Sequence, residues 1–181
     1  MEVSDGTFAI SRADKTRHIS DFAKEFYVLS EVGKKDIHEA DNMPISQWID
    51  EIHHDLAAGA MKVILESREN GESGICDDHG NLREDLVSSI SNSRFRASDA
   101  IWEAPNKMLQ TSLITSLGPD VNLANIPFGD VIGLETLRLG IRSDTFSLYD
   151  SNAGMNAALL VDRVSYSPET TAIEEKRCAI I

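Results

Sequence analysis

The sequence predicts a parallel α/β fold of the TIM-barrel type, (β/α)8, of which this chain holds about five βα units followed by a C-terminal tail. Three observations predict it. Short apolar runs without polar alternation recur along the chain, as in strands covered on both faces. Amphipathic helix patterns of period near 3.6 lie between them. Several of the runs end in a carboxylate, Glu31, Glu66 and Glu103, spaced by roughly 35 residues, the length of a βα unit. The even repetition favours a barrel over a doubly wound sheet, and neither GxGxxG nor GxxxxGK[ST] occurs, so nucleotide-binding doubly wound sheets lose weight.

The elements follow in order. EVSDGT (2–7) opens the chain as a strand ending at Asp5 and Gly6. Residues 11–26 predict a helix, with Ser11 as N-cap, Asp14 at the third helical position, and Ile19, Phe22, Ala23 and Phe26 on one stripe. YVLSEVGKKDI (27–37) is a strand running into Glu31, Gly33, Lys34 and Lys35. Residues 45–59 predict a helix with Ser46 as N-cap, Trp48, Ile49, Ile52 and Leu56 on its apolar stripe, and Gly59 just past its end. MKVILESRE (61–69), AIWEAPNK (100–107) and VNLANIP (121–127) read as further strands, and 82–90, 106–118 and 128–140 as helices.

Composition bounds the partners. The chain has 181 residues, 41% hydrophobic, enough for one domain with a core. A formal net charge of −13 makes duplex nucleic acid and anionic membrane poor partners. No run approaches the roughly 18 apolar residues of a membrane span, and the N-terminus lacks the basic and apolar regions of a signal peptide. Cys76 and Cys178 are far apart without metal-ligand spacing, which reads as reduced thiols in a cytoplasm. The five histidines, at 18, 38, 53, 54 and 79, have no ligand spacing and read as surface residues.

In a parallel barrel the ligand sits at the C-terminal ends of the strands. Asp5, Glu31, Glu66 and Glu103 lie there, as do Lys34, Lys35, Arg68 and Lys107. The carboxylates suit a hard divalent cation or the orientation of cationic side chains, and the cations suit anionic oxygens. Glu66 and Arg68, two apart, would share a face on a continuing strand. Each carboxylate–cation pair taken alone reads more readily as a surface salt bridge worth about 0–1 kcal/mol; the same grammar at four strand ends argues for a site.

The segments VSDGT, SEVGKK, ESREN with GESGI, EAPNK, GPDVNLANIP and LETLRLGIRSDTF together resemble the phosphosulfolactate synthase family, in that family's order, over residues 2 to about 148. The resemblance implies a (β/α)8 barrel. It also implies a Mg²⁺-dependent lyase that adds sulfite to phosphoenolpyruvate to give (2R)-phospho-3-sulfolactate, a step toward coenzyme M in methanogens. Two anions must meet in such a pocket, so cations are required; charge driven onto the substrate carboxylate suits a divalent cation; and C2 must receive a proton, for which a lysine of depressed pKa is suited. By resemblance Lys35 is that donor. Glu31 and Glu66 resemble metal or lysine-orienting groups, and Glu103 and Asp5 are added to the metal set. Arg68 and Lys107 resemble anion binders. The Asn122–Asn125 loop and Arg142 fall where barrels hold phosphate.

The family's opening motifs DKG, KFGWGT and GGTLFE are absent, which places the first strand here at the family's fourth. Residues 1–148 are therefore expected to form a partial barrel domain and 149–181 a C-terminal extension, partly helical or disordered. Unpaired sheet edges are expected to favour association with another copy, a homo-oligomer, and sulfite addition by these residues alone is expected to be weak. The runner-up is a catalytically silent barrel relative with a stress-linked or protein-binding role. Cys178-Ala179-Ile180-Ile181 has the form of a prenylation box and reads as chance, because stable anchoring needs a second signal.

Overall fold

The structure, a computed structural model, describes residues 1–5, 10–35, 40, 42–68 and 71–149. All but Tyr149 of the expected 149–181 extension, its CAII ending included, and His38 lie outside the described residues. Among the described residues, five parallel strands alternate with helices: β1 (Glu2–Val3), α1 (Arg12–Phe22), β2 (Leu29–Val32), α2 (Ile45–Ala58), β3 (Lys62–Leu65), α3 (Glu84–Ser91), β4 (Ala100–Glu103), α4 (Lys107–Leu117), β5 (Leu123–Ala124), α5 (Val131–Arg138) and the short α6 (Ser143–Phe146). The strands lie side by side in chain order. Leu29 pairs with Lys62, Glu31 with Ile64, and Ile64 with Ile101. This is the expected α/β pattern, with one βα unit per strand.

Side chains alternate across each strand, and this decides what the sheet buries. Val32, Val63, Leu65, Ala100 and Trp102 point to the helix side and join Trp48, Ile52, Leu86, Leu109 and Leu113 in one core. A smaller cluster of Val3, Ile19, Val28 and Ala60 closes the α1 corner. The opposite face carries Glu2, Leu29, Glu31, Lys62, Ile64 and Glu103, in register across the strands.

Element ends follow local chemistry, with corrections. Ser11 caps α1: its hydroxyl accepts from the Asp14 N–H at 3.1 Å and donates to the Asp14 carboxylate at 2.7 Å. The helix stops at Phe22 rather than Phe26. In α2 the N-cap is Pro44, not Ser46, which lies inside the first turn; Pro44 in extended backbone needs no N–H partner there. Gly59 ends α2 in the left-handed region, as expected. Asn106 caps α4 by accepting from the Leu109 N–H at 3.0 Å. The strands are shorter than the runs read from the sequence: β2 covers Leu29–Val32 and β3 Lys62–Leu65. The two edge strands, β1 and β5, hold two residues each.

Cys76 is a core thiol, 1% exposed, and burial pushes its pKa up to about 12. A thiol this protonated is a poor nucleophile. Peptide mapping after treatment with iodoacetamide at pH 8 is expected to find Cys76 unlabelled in the folded chain and labelled in denaturant; native labelling would place it elsewhere.

Candidate active site

The C-terminal ends of β2, β3 and β4 deliver Glu31, Glu66 and Glu103 to one spot. Their carboxylate oxygens lie within 4.8 Å of one another. Glu31 is the third residue of β2, and alternation turns it away from the core. Glu66 follows β3 directly, its N–H still bonded to the Val32 carbonyl at 3.1 Å. Glu103 closes β4. Lys35 completes the group, its ammonium 3.4 Å from Glu31 Oε2 and 3.6 Å from Glu66 Oε2. Together with Arg68, Asn125, Ile64, Ala124 and Glu2 they line a cleft of about 700 Å³.

Gly33 lets the chain turn from Glu31 to Lys35. Its φ of 126° suits only glycine, and a Cβ there would stand 2.7 Å from the Trp48 ring and 2.8 Å from the Glu66 Cβ. The backbone therefore passes between the core indole and the site carboxylate.

Several groups hold the carboxylates. The Ser4 hydroxyl donates to Glu31 Oε1 at 2.6 Å, the Arg68 N–H to Glu66 Oε1 at 2.6 Å, and the Ser67 N–H to Glu103 Oε2 at 3.0 Å. Burial, then Glu103 and Glu31, push the Glu66 carboxyl up to about 7, against the Arg68 N–H and Lys35. Glu103 is also raised, chiefly by burial. For Lys35, burial works to lower the pKa, and Glu31 and Glu66 outweigh it, so the net shift is upward. A proton donor of depressed pKa is expected from the chemistry; the crowd of carboxylates gives the opposite shift.

Oxygen donors alone, close together, with Glu31 and Glu66 buried and Glu103 partly so, are the set a hard divalent cation takes. Three carboxylates facing one ammonium leave two negative charges when all are ionised, which a divalent cation would cancel. Glu31, Glu66 and Glu103 therefore fit such an ion.

The sign of the pH effect follows from Glu66. Its carboxyl titrates near 4.5 when unfolded and near 7 when folded, so between those values the folded chain binds the extra proton. The Glu66 contribution to metal-free stability is fully present below pH 4.5 and is lost as pH rises to about 7. In EDTA, Glu66→Gln is expected to flatten this fall in melting temperature, to bind a divalent cation more weakly, and to leave the fold intact. An unchanged pH slope would sink the assignment of the slope to Glu66.

The remaining sequence-predicted residues divide. Arg68 reaches the cleft, though not on a continuing strand: β3 ends at Leu65, and Arg68 stands in left-handed backbone at φ 57°. Asn125, at φ 58°, also lines the cleft. Asp5 lies outside the three-carboxylate group, its oxygens 3.3 Å from Lys15 and 3.0 Å from Lys34. Lys107 and Arg142 meet at Asp144, at 2.9 and 3.5 Å. The Asn122 amide donates to the carbonyls of Ser98 and Ala100, at the start of β4 and away from the cleft. Sequence reasoning missed Ser4, Ser67 and Lys15. Period-two alternation puts Ser4 beside Glu31, two places on from the Glu2–Leu29 pair, so that one was within reach of the pattern.

Among the described residues no helix is long and apolar enough to cross a membrane. The sequence profile of the (2R)-phospho-3-sulfolactate synthase family matches residues 1–144. A phosphosulfolactate synthase of Bacillus subtilis strain 168 is 50% identical over 148 residues, covering 82% of this chain and 59% of the relative. Those of Methanothermobacter thermautotrophicus and Methanocaldococcus jannaschii are 43% and 42% identical, over 80% and 81% of this chain and 57% and 59% of their own lengths. The chain thus spans a little under three fifths of the length of these curated relatives. With the profile covering most of the chain and these relatives 42–50% identical to it, the chain belongs to the (2R)-phospho-3-sulfolactate synthase family.

Proposed function

We propose that this chain acts as a phosphosulfolactate synthase-like carbon–sulfur lyase in the synthetic direction, joining sulfite to phosphoenolpyruvate to give (2R)-phospho-3-sulfolactate. The observation that carries the reading is Lys35, one ammonium set between Glu31 and Glu66 at the mouth of the cleft, in a chain of this family. The sulfur lone pair of sulfite forms a bond to C3. The electrons of the C2–C3 double bond move toward the substrate carboxylate, then return to C2 as Lys35 gives up its proton; the lysine recovers a proton from water. Glu31 and Glu66 raise the Lys35 pKa in the metal-free chain, and a cation on those carboxylates would relax their hold on that proton. Mg²⁺, held by Glu31, Glu66 and Glu103, would supply a Lewis acid for the charge developing on the substrate carboxylate. Arg68 and Asn125 line the cleft and offer donors to anionic oxygens. Lys107 and Arg142 would serve the substrate only after leaving Asp144. A free, buried Cys76 suits a cytoplasmic setting, and open sheet edges suit a homo-oligomer.

The test is to incubate the chain with Mg²⁺, phosphoenolpyruvate and sulfite in D₂O, and look for phosphosulfolactate by mass. The expected product carries one deuterium at C2. No product with the chain equimolar to substrate would sink the reading.

A further inference from the structure

Behind the cleft, on the helix side of the sheet, lies a second charged group that the proposed chemistry does not use. Lys15 of α1 is 5% exposed, and lysine is almost never so buried unless paired. Its ammonium donates to the Glu31 backbone carbonyl at 2.6 Å, and lies 3.0 Å from Asp55 Oδ2 and 3.3 Å from Asp5 Oδ1. Three acceptors match its three donors. Asp55, buried on α2, also accepts from the Ser30 hydroxyl. Asp5 accepts from Lys34 at 3.0 Å. Burial works to raise the Asp5 pKa; Lys15 and Lys34 outweigh it and hold the carboxyl below its ordinary range.

Ser30 and Glu31 are consecutive in β2, so their side chains point to opposite faces. Asp55 grips the Ser30 hydroxyl on the helix face, and Lys15 grips the carbonyl of Glu31. Two anchors on one short stretch fix its rotation, and with it the direction in which Glu31 projects into the cleft. The Ser4 hydroxyl, which holds Glu31 Oε1, immediately precedes Asp5, which Lys15 also holds. One ammonium thus restrains both the backbone behind Glu31 and the strand end that supplies its hydrogen bond.

We propose that Lys15 is a positioning residue for the cation site of Glu31, Glu66 and Glu103, acting through the Glu31 backbone and the Ser4–Asp5 strand end. The inference rests on reading those carboxylates as a divalent-cation site. The same contacts keep Asp5 out of the ligand set, since its two oxygens face Lys15 and Lys34.

The probe is manganese(II), with the free ion counted by electron paramagnetic resonance. The 181-residue chain is compared with Lys15→Met/Asp55→Asn, in which both charges of the buried pair go together and residue 55 still accepts from Ser30. The double variant is expected to melt close to the unmodified chain and to bind manganese at least about tenfold more weakly, the usual scale for outer residues that orient ligands. Unchanged affinity in the folded double variant overturns the role of Lys15 and leaves the cation site standing. No manganese binding by the unmodified chain overturns the cation site and the inference with it. Should the double variant not fold, the unmodified chain decides. The ¹⁵N resonance of the Lys15 ammonium is expected to shift on saturation with Mg²⁺, and a resonance indifferent to Mg²⁺ overturns the proposal.

Discussion

Under the proposed reaction, alanine at position 35 is expected to lower turnover about 10²-fold or more, the scale of a lost general acid. The Lys35 ammonium contacts both Glu31 and Glu66, so a second effect must be separated from the first. Removing the charge leaves three carboxylates without their cation, which destabilises the metal-free chain near neutral pH. Lys35→Arg separates the two. Arginine keeps the charge beside the carboxylates, yet its guanidinium holds its proton too tightly to give it up. The arginine variant is expected to keep its melting temperature and to lose turnover about as severely as the alanine variant. Turnover near the unmodified level in Lys35→Arg, measured as phosphosulfolactate formed with Mg²⁺, would remove Lys35 from the proton step and leave it a salt-bridge partner.

Gly33→Ala is expected to destabilise the chain by about 2–5 kcal/mol, combining a left-handed backbone penalty with overpacking. In a domain of this size that is roughly 5–15 °C of melting temperature. The added methyl would meet the Trp48 ring and the Glu66 Cβ, both within 3 Å. Trp48 is fully buried and has nowhere to swing, so Glu66 must yield and cation binding should fall with stability. Gly118→Ala is the control: its φ is 92° with nothing within 4 Å of the added Cβ, so it carries the backbone penalty alone. Equal losses in the two variants would show that the indole and Glu66 do not confine Gly33.

The unit repeat was legible because buried parallel strands leave a plain mark, an apolar run with its polar residues pushed to the end. That mark located Glu31, Glu66 and Glu103 together, since equal βα lengths bring equal strand ends to one rim. What stayed hidden depends on pairing across elements. Lys15 sits in a helix pattern whose stripe was read from Ile19, Phe22 and Ala23, and nothing in the linear sequence says that its ammonium turns inward to Asp55. That capture also decides where Asp5 goes. Asn122 resembled a phosphate ligand by motif, while its amide is taken by carbonyls at the start of β4. Arg68 reached the cleft for a reason alternation does not encode, a left-handed turn just after β3.

The shortness of β5 bears on how a partner could meet this sheet. Cross-β stacking recruits extended runs of about six or seven residues through continuous backbone ladders. β5 is paired over two residues, and short edge strands are a recognised guard against such growth. A partner lying along β5 would therefore draw its hold mainly from side chains. Contact there would depend on shape and residue identity more than on a backbone ladder.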